Sequence, residues 1–223
     1  MTHPIPRLTL VVKRSMDLLG ATLGLLLTLP LWPLIMLAIR LDSPGPVFFR
    51  QLRIGRSHAT HTELFFMIKF RTMRADAEAA TGPVWCGKGD SRITRSGDFL
   101  RKTRLDELPQ FINVLKGEMS LIGPRPERPG IANRLEDAVP YFIERTYEVA
   151  PGITGLAQVN QGYDESLDDV RSKLAFDLAY SVALLHPWRW LVQDMHIIGK
   201  TIAIMVGKKG ALILPISATP QPH

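Results

Sequence analysis

Asp106 and Glu107 are the residues of this chain best suited to chemistry, because Arg101, Lys102 and Arg104 stand immediately before them. They precede a helix predicted to begin near Pro109, and acidic side chains at a helix start are favourable for structural reasons alone. Their company adds a second meaning. An ionised carboxylate among cations keeps its charge and can attack a phosphorus centre, while the cations neutralise the phosphate oxygens that would repel it. Phosphoryl chemistry is what this arrangement suits. In Gly123-Pro124-Arg125-Pro126, flanking prolines limit the backbone freedom of Arg125 and can aim a planar, bidentate donor at a phosphate. The same segment also reads as a connector with a solvated arginine. Lys69 and Arg71 alternate with Phe70 and Thr72 in an extended run, so both cations fall on one strand face, gripping a diphosphate or covering a sheet edge. His58 and His61 lie three apart, but no cysteine or further histidine completes a zinc set, so none is predicted there. Mg²⁺, held by one or two carboxylates and substrate phosphates, would leave little trace in a sequence. No Walker A, GxGxxG or GxSxG pattern occurs.

Several elements must position these residues. Ser43-Pro44-Gly45-Pro46 is a strong breaker, after which Val47-Phe48-Phe49 and Leu64-Phe65-Phe66-Met67-Ile68 read as two short strands of a small hairpin. Residues 71–80 have helix-forming composition, ended by Thr81-Gly82-Pro83, and a loop rich in glycine and charge runs to about Ser91. A helix is predicted from Gly97, and another between Pro109 and Gly117 with Leu108, Ile112 and Leu115 at helical spacing. Two prolines within three residues make Ile122–Pro126 a stiff loop, and Pro151–Gly155 reads as another. Residues 131–148 and 167–185 look helical. Trp188–Val206 suits a helix at a membrane interface and a core helix equally.

From Leu18 to Ile39 no side chain is charged, and Pro30 and Pro33 interrupt the run. Its 22 residues would reach about 33 Å as a helix, enough to cross a hydrocarbon core. Both flanks are basic, however: Arg7, Lys13 and Arg14 precede it, and Arg40, Arg50, Arg53 and Arg56 follow, which favours the cytoplasmic side at both ends. A re-entrant helix bent at Pro30, with the Thr28 hydroxyl meeting part of the freed hydrogen bonding, and a single-pass anchor both fit the residues. Residues 1–104 carry 16 Lys or Arg against 7 Asp or Glu, so the basic half adjoins the apolar run and suits anionic headgroups or phosphorylated ligands. No groove-entering motif supports nucleic-acid binding. Cys86 is the only cysteine, which excludes an intramolecular disulfide.

Taken in order, Lys13–Asp17, Gly45–Gln51, Lys69–Met73, Leu105–Gln110, Asn113–Ser120, Ile122–Pro126 and Pro151–Val159 resemble the bacterial sugar transferases. These monotopic phosphoglycosyl transferases move a phosphosugar from a nucleotide sugar to polyprenyl phosphate. The resemblance implies an α+β, mainly helical fold: a re-entrant membrane helix-hairpin, then a compact cytosolic domain with a short β-hairpin and interfacial amphipathic helices. It divides the chain into a membrane segment 1–42, a catalytic domain 43–206 and a tail 207–223. It makes Asp106 the nucleophile on the β-phosphate of a UDP-sugar, with UMP leaving and the phosphosugar passing to undecaprenyl phosphate. It makes Glu107 the acceptor's base or a contributor to the metal site, Mg²⁺ the cofactor with Asp106 as its contact, and Arg125 and Arg101 phosphate-binding positions. Lys69 and Arg71 join that set from the residues alone. Pro30 matches the family's helix break, although Leu29-Pro30 stands where a small relative has Ser-Pro, so Thr28 would have to stand in. The chain resembles the minimal form, without the extra spans and domain of longer members. The implied setting is the bacterial inner membrane, catalytic domain facing the cytoplasm, at the first membrane step of polysaccharide or glycoconjugate assembly. The expected partners are the UDP-sugar, polyprenyl phosphate and inner-membrane lipids, with no nucleic acid. A non-catalytic, basic membrane scaffold is the alternative that the anchor and the charge alone would allow.

Overall fold

The computed structural model describes residues 5–77, 90–162 and 166–205. The apolar run forms α1 (Arg7–Thr28), a 3₁₀ turn at Leu29–Leu31 and α2 (Trp32–Asp42). These 36 residues are long and apolar enough to cross a membrane. The change from α to 3₁₀ falls at Pro30, which cannot donate to the carbonyl four residues back. The Thr28 hydroxyl donates to Gly24 O at 2.7 Å, so it reinforces the turn before the break.

Both halves of this helix dock on one body. Lys13 and Arg14, which look like topology signals in sequence, are tied down: Lys13 Nζ to Asp194 at 2.9 Å, and Arg14 to the carbonyls of Val114 and Leu115 at 2.6 and 2.9 Å. Buried Asp17 accepts from Ser120 Oγ and Leu121 N, both at 2.9 Å. Along α2, Trp32, Ile35 and Ile39 pack with Phe70 and Leu100. The other side of the helix exposes Leu8, Leu19, Leu23, Leu26, Leu27, Leu34 and Leu41. Burying each such leucine is worth roughly 1.5–3 kcal/mol, so a patch of this size marks a surface meant for an apolar phase.

In the body, β1 (Phe48–Ser57) and β2 (Thr62–Phe70) form an antiparallel hairpin, longer than the two short strands expected. Phe65 and Met67 turn inward against Ala21, Val114 and Met119, while Leu64 and Phe66 face out, the period-two alternation of a half-covered sheet. Residues 71–77 are not the expected helix. Arg71 N–H bonds Val47 O, Met73 bridges Ile93 and Thr94 N–H takes the Thr72 carbonyl, so the chain is held extended before a turn. The predicted stop at Thr81-Gly82-Pro83, most of the following loop, Cys86 and the tail 207–223 lie outside the described residues.

Helix α3 (Arg95–Thr103) is capped by the Thr94 hydroxyl, and α4 (Gln110–Lys116) ends at Gly117 with φ 88°. The two proline-rich loops contain a parallel strand pair, β3 (Ser120–Ile122) and β4 (Gly152–Thr154). Proline removes donors but not carbonyls: Gly152 N–H donates to Pro124 O at 2.8 Å and Ser120 N–H to Pro151 O at 2.8 Å. The backbones approach so closely that a Cβ on Gly152 would overlap Gly123. The predicted 131–148 helix is really α5 (Pro129–Ala138) and a 3₁₀ turn at Ile143–Thr146, separated around Pro140 with Tyr141 at φ 70°. Then come α6 (Leu156–Asn160), α7 (Leu167–Ala183), with a Ser166/Asp169 capping box, and α8 (Arg189–Met205). Helix α8 buries Trp190, Asp194 and Ile197 and exposes Val192, Met195 and Ile202, so it has a core face and an apolar outer face.

Candidate active site

Arg104 takes a left-handed conformation, φ 60°, and turns the chain from α3 into a 3₁₀ turn at Leu105–Glu107 that carries both carboxylates inward. Asp106 and Glu107 are each 7 % exposed. Glu107 Oε1 accepts from Lys69 Nζ at 3.2 Å and from Arg125 Nη2 at 2.9 Å. Lys69 comes from the last turnaround of β2. Arg125 comes from the loop after β3, where Arg145 donates to its carbonyl at 2.6 Å and is itself paired with Asp177 at 2.8 Å, out of solvent. Beside them, Arg53 of β1 reaches Pro126 O at 3.0 Å and Glu127 Oε1 at 3.3 Å, and Lys173 of α7 lies 3.6 Å from Glu127 Oε2.

The two adjacent carboxyls respond to this setting in opposite senses. Burial alone would lift the pKa of Glu107, but Arg125, then Lys69 and Arg104, outweigh it and hold the group well below the usual carboxylate range. Burial raises that of Asp106, Lys69 only partly offsets this, and the charge of Glu107 adds to it. Among the described residues none donates a hydrogen bond to Asp106, and the cations that reach it through space, Lys69, Arg101 and Arg125, do not offset its burial and the charge of Glu107. That is a fit for a hard cation bound through one protein carboxylate and substrate phosphates. Burial likewise lowers Lys69, and it brings Arg53 down to about 10 despite Glu127.

This cluster forms the polar end of a cavity of about 620 Å³, where Arg53, Arg104, Glu107, Arg125, Glu127 and Lys173 line the wall. The other end is apolar, with Phe111, Leu121, Ile198, Ile202 and Met205, and it reaches Gly20 of α1. Asp106 is not part of the lining. Large apolar walls with a few convergent polar groups are the usual form of a small-molecule site.

Of the residues singled out in the sequence, Lys69, Glu107 and Arg125 meet directly, with Asp106 next to them. Arg101 bonds Thr72 Oγ1 at 2.8 Å, and its charge acts on Asp106. Arg71 does not join them. Strand β2 ends at Phe70, the alternation stops there, and the Arg71 guanidinium instead binds the carbonyls of Ser43 and Pro44, both at 2.6 Å, at the end of α2. Pro30 lies at the α1–α2 break. Arg53, Glu127, Lys173 and the Arg145–Asp177 pair escaped the sequence reading. For Glu127 a signal existed, since it follows Arg125 at the next alternate position of the same stiff loop. Lys173 offered none within an ordinary amphipathic helix.

Residues 8–208 match the family described as bacterial sugar transferase. The chain is 42 % identical over 200 residues to a UDP-N-acetylgalactosamine-undecaprenyl-phosphate N-acetylgalactosaminephosphotransferase of Aeromonas hydrophila, covering 90 % of this chain and 45 % of that protein. It is 40 % identical over 204 residues to a UDP-glucose:undecaprenyl-phosphate glucose-1-phosphate transferase of Xanthomonas campestris pv. campestris, covering 90 % and 40 %. An exopolysaccharide production protein of Rhizobium leguminosarum bv. phaseoli is 38 % identical over 198 residues, covering 86 % and 94 %. The chain therefore spans less than half the length of the first two relatives.

Proposed function

Since the chain belongs to the bacterial sugar transferase family, we propose that it transfers a sugar phosphate from a UDP-sugar to polyprenyl phosphate, undecaprenyl phosphate in the cell, releasing UMP. The observation that carries this reading is the Asp106–Glu107 turn, with Glu107 clasped by Lys69 and Arg125, at the polar end of a cavity whose other end is apolar. A diphosphate needs the first end, and a prenyl chain the second.

In this mechanism the Asp106 carboxylate attacks the β-phosphorus of the donor, the bond from that phosphorus to the bridging oxygen breaks, and UMP departs. The phosphosugar, now an acyl phosphate on Asp106, is taken by an oxygen of the lipid phosphate, and the carboxylate is restored. Its raised proton affinity makes Asp106 the more nucleophilic of the two carboxylates. Glu107, held so far below its ordinary range, makes a poor proton acceptor, which argues for a role in fixing Lys69 and Arg125 where the donor's phosphate oxygens arrive. Arg125 and Arg101 supply positive charge to those oxygens. Mg²⁺ fits the site, with Asp106 as the residue that would hold it beside the substrate phosphates, and it would neutralise charge on the diphosphate.

A bend at Pro30 with both helix ends on the cytoplasmic side would keep this site at the inner-membrane surface, where a soluble donor and a lipid acceptor can both reach it. Such a step would open the assembly of a surface polysaccharide or glycoconjugate. The test is UMP release by the detergent-purified chain with undecaprenyl phosphate and Mg²⁺ across a panel of UDP-sugars, UDP-glucose and UDP-N-acetylgalactosamine among them. Asp106→Asn is expected to lower the rate at least about a thousandfold. Undiminished release from that variant would remove Asp106 as nucleophile, and no release from any donor would remove the reaction class.

A further inference from the structure

We propose that the tip of the β1–β2 hairpin binds a transition-metal dication of the zinc class through His58, His61 and Glu63. One ligand atom from each of the three lies within 4.8 Å of the others. His58 Nε2 is 3.3 Å from Glu63 Oε1. Metal–ligand bonds of about 2.0–2.1 Å at tetrahedral angles set neighbouring donor atoms about 3.3 Å apart, so this pair already has the spacing of two ligands. The His61 ring centroid lies 4.7 Å from that of His58, which keeps one of its ring nitrogens within reach of the same ion, while its Nδ1 is 3.1 Å from Thr60 Oγ1.

The other nitrogen of His58 is also engaged. Nδ1 is 3.0 Å from Glu148 Oε1, the carboxylate–imidazole contact that fixes the tautomer and orientation of a metal-binding histidine and leaves Nε2 for the ion. Glu148 is placed there at a conformational cost, since its φ of 54° lies in the left-handed region that residues with a side chain rarely adopt. Its N–H bonds Ser57 O at 2.8 Å and locks that geometry to the hairpin. The sequence argues against zinc because it lacks a third cysteine or histidine. The fold supplies a carboxylate from β2 instead, and a second one, 90 residues away from His58, behind the imidazole. Two imidazoles and a carboxylate favour zinc, nickel or cobalt over magnesium, whose preferred ligands are oxygens. The fourth position opens to solvent, for Glu63 is about half exposed.

Glu63 and Lys69 stand six positions apart on β2, about 20 Å of strand, so this site is distinct from the catalytic cluster. Bound metal would clasp the hairpin to the segment after the Ile143–Thr146 turn, which already pairs with it through Ser57 and Tyr147.

Calorimetric titration of the full-length chain in detergent with ZnCl₂, together with the visible ligand-field absorption of added Co²⁺, tests this. One high-affinity ion per chain is expected, with His58→Gln and His61→Asn each weakening binding by at least about a hundredfold and Glu148→Gln by about ten- to a hundredfold. His58 and His61 are at the hairpin tip and Glu148 is nearly half exposed, and unchanged melting of the metal-free variants verifies their folding. Absence of a high-affinity ion, or binding that survives His58→Gln and His61→Asn and so belongs to another histidine or to Cys86, overturns the proposal. UMP release by His61→Asn without zinc is expected to equal that of the parent chain, which keeps this outcome separate from the transferase reading.

Discussion

Glu107 and Asp106 share a peptide bond, yet only Glu107 receives the guanidinium and ammonium groups. Lys69 and Arg125 act on both, but at Asp106 burial, together with the charge of Glu107, outweighs them, so the two proton affinities separate. This carries a pH dependence. Glu107 and Glu127 are both held below their ordinary value of 4.5, each by cations that outweigh burial, so at these two groups the folded state binds fewer protons than the unfolded one, the opposite of Asp106. Their stabilisation is complete above the unfolded value and is lost as pH falls through the folded one. The melting temperature that Glu127 contributes is therefore expected to be lost as pH falls below about 4.5, so the difference between the parent chain and Glu127→Gln should shrink over that range. Arg125→Lys keeps the charge but removes the planar fork, so a donor KM raised at least about tenfold is expected in steady-state UMP assays. Arg71→Lys, at a residue committed to the Ser43 and Pro44 carbonyls, should lower melting temperature and leave the donor KM of the folded fraction near its parent value.

Helix ends and the hairpin were legible because their signals are local: Pro109 and Gly117 bracket α4, and alternation marks β2. The β3–β4 pair was hidden by its prolines, since the rule that proline breaks strands counts lost donors and overlooks carbonyls that still accept. Behind the Arg125 loop, Arg145 bridges Asp177 and the Arg125 carbonyl, joining α7 to the site. Arg145→Met should cost about 3–5 kcal/mol, because it breaks a buried ion pair with Asp177 and removes the donor to the Arg125 carbonyl. Adding Asp177→Leu removes the other half of the buried pair and should recover part of that loss in denaturant titrations. Activity should stay low in the double variant, as the Arg125 carbonyl still lacks its donor.

Across the whole molecule, the cavity joins a charged end made by β1, the Arg104–Glu107 turn, the Arg125 loop and α7 to an apolar end made by α4, α8 and the face of α1. Ile202→Asn in the apolar end should weaken acceptor binding roughly ten- to a hundredfold, the worth of one aliphatic contact, while UMP release in a single turnover with donor alone stays unchanged. For the membrane segment, single cysteines at the N-terminus and at Thr60, with Cys86 replaced, should label from the same face in intact cells; labelling from opposite faces would exclude the re-entrant path. The sequence by itself determined the apolar run broken at Pro30, the acidic pair among cations and the order of motifs, because charge, turn chemistry and periodicity act over a few residues. Only the tertiary structure decided which cations serve Glu107. Lys69 and Arg125 stand 38 and 18 residues from it, and Arg71, two positions from Lys69, goes elsewhere. Such choices depend on where a strand stops and which helix lies beneath it, and those are properties of the packed chain.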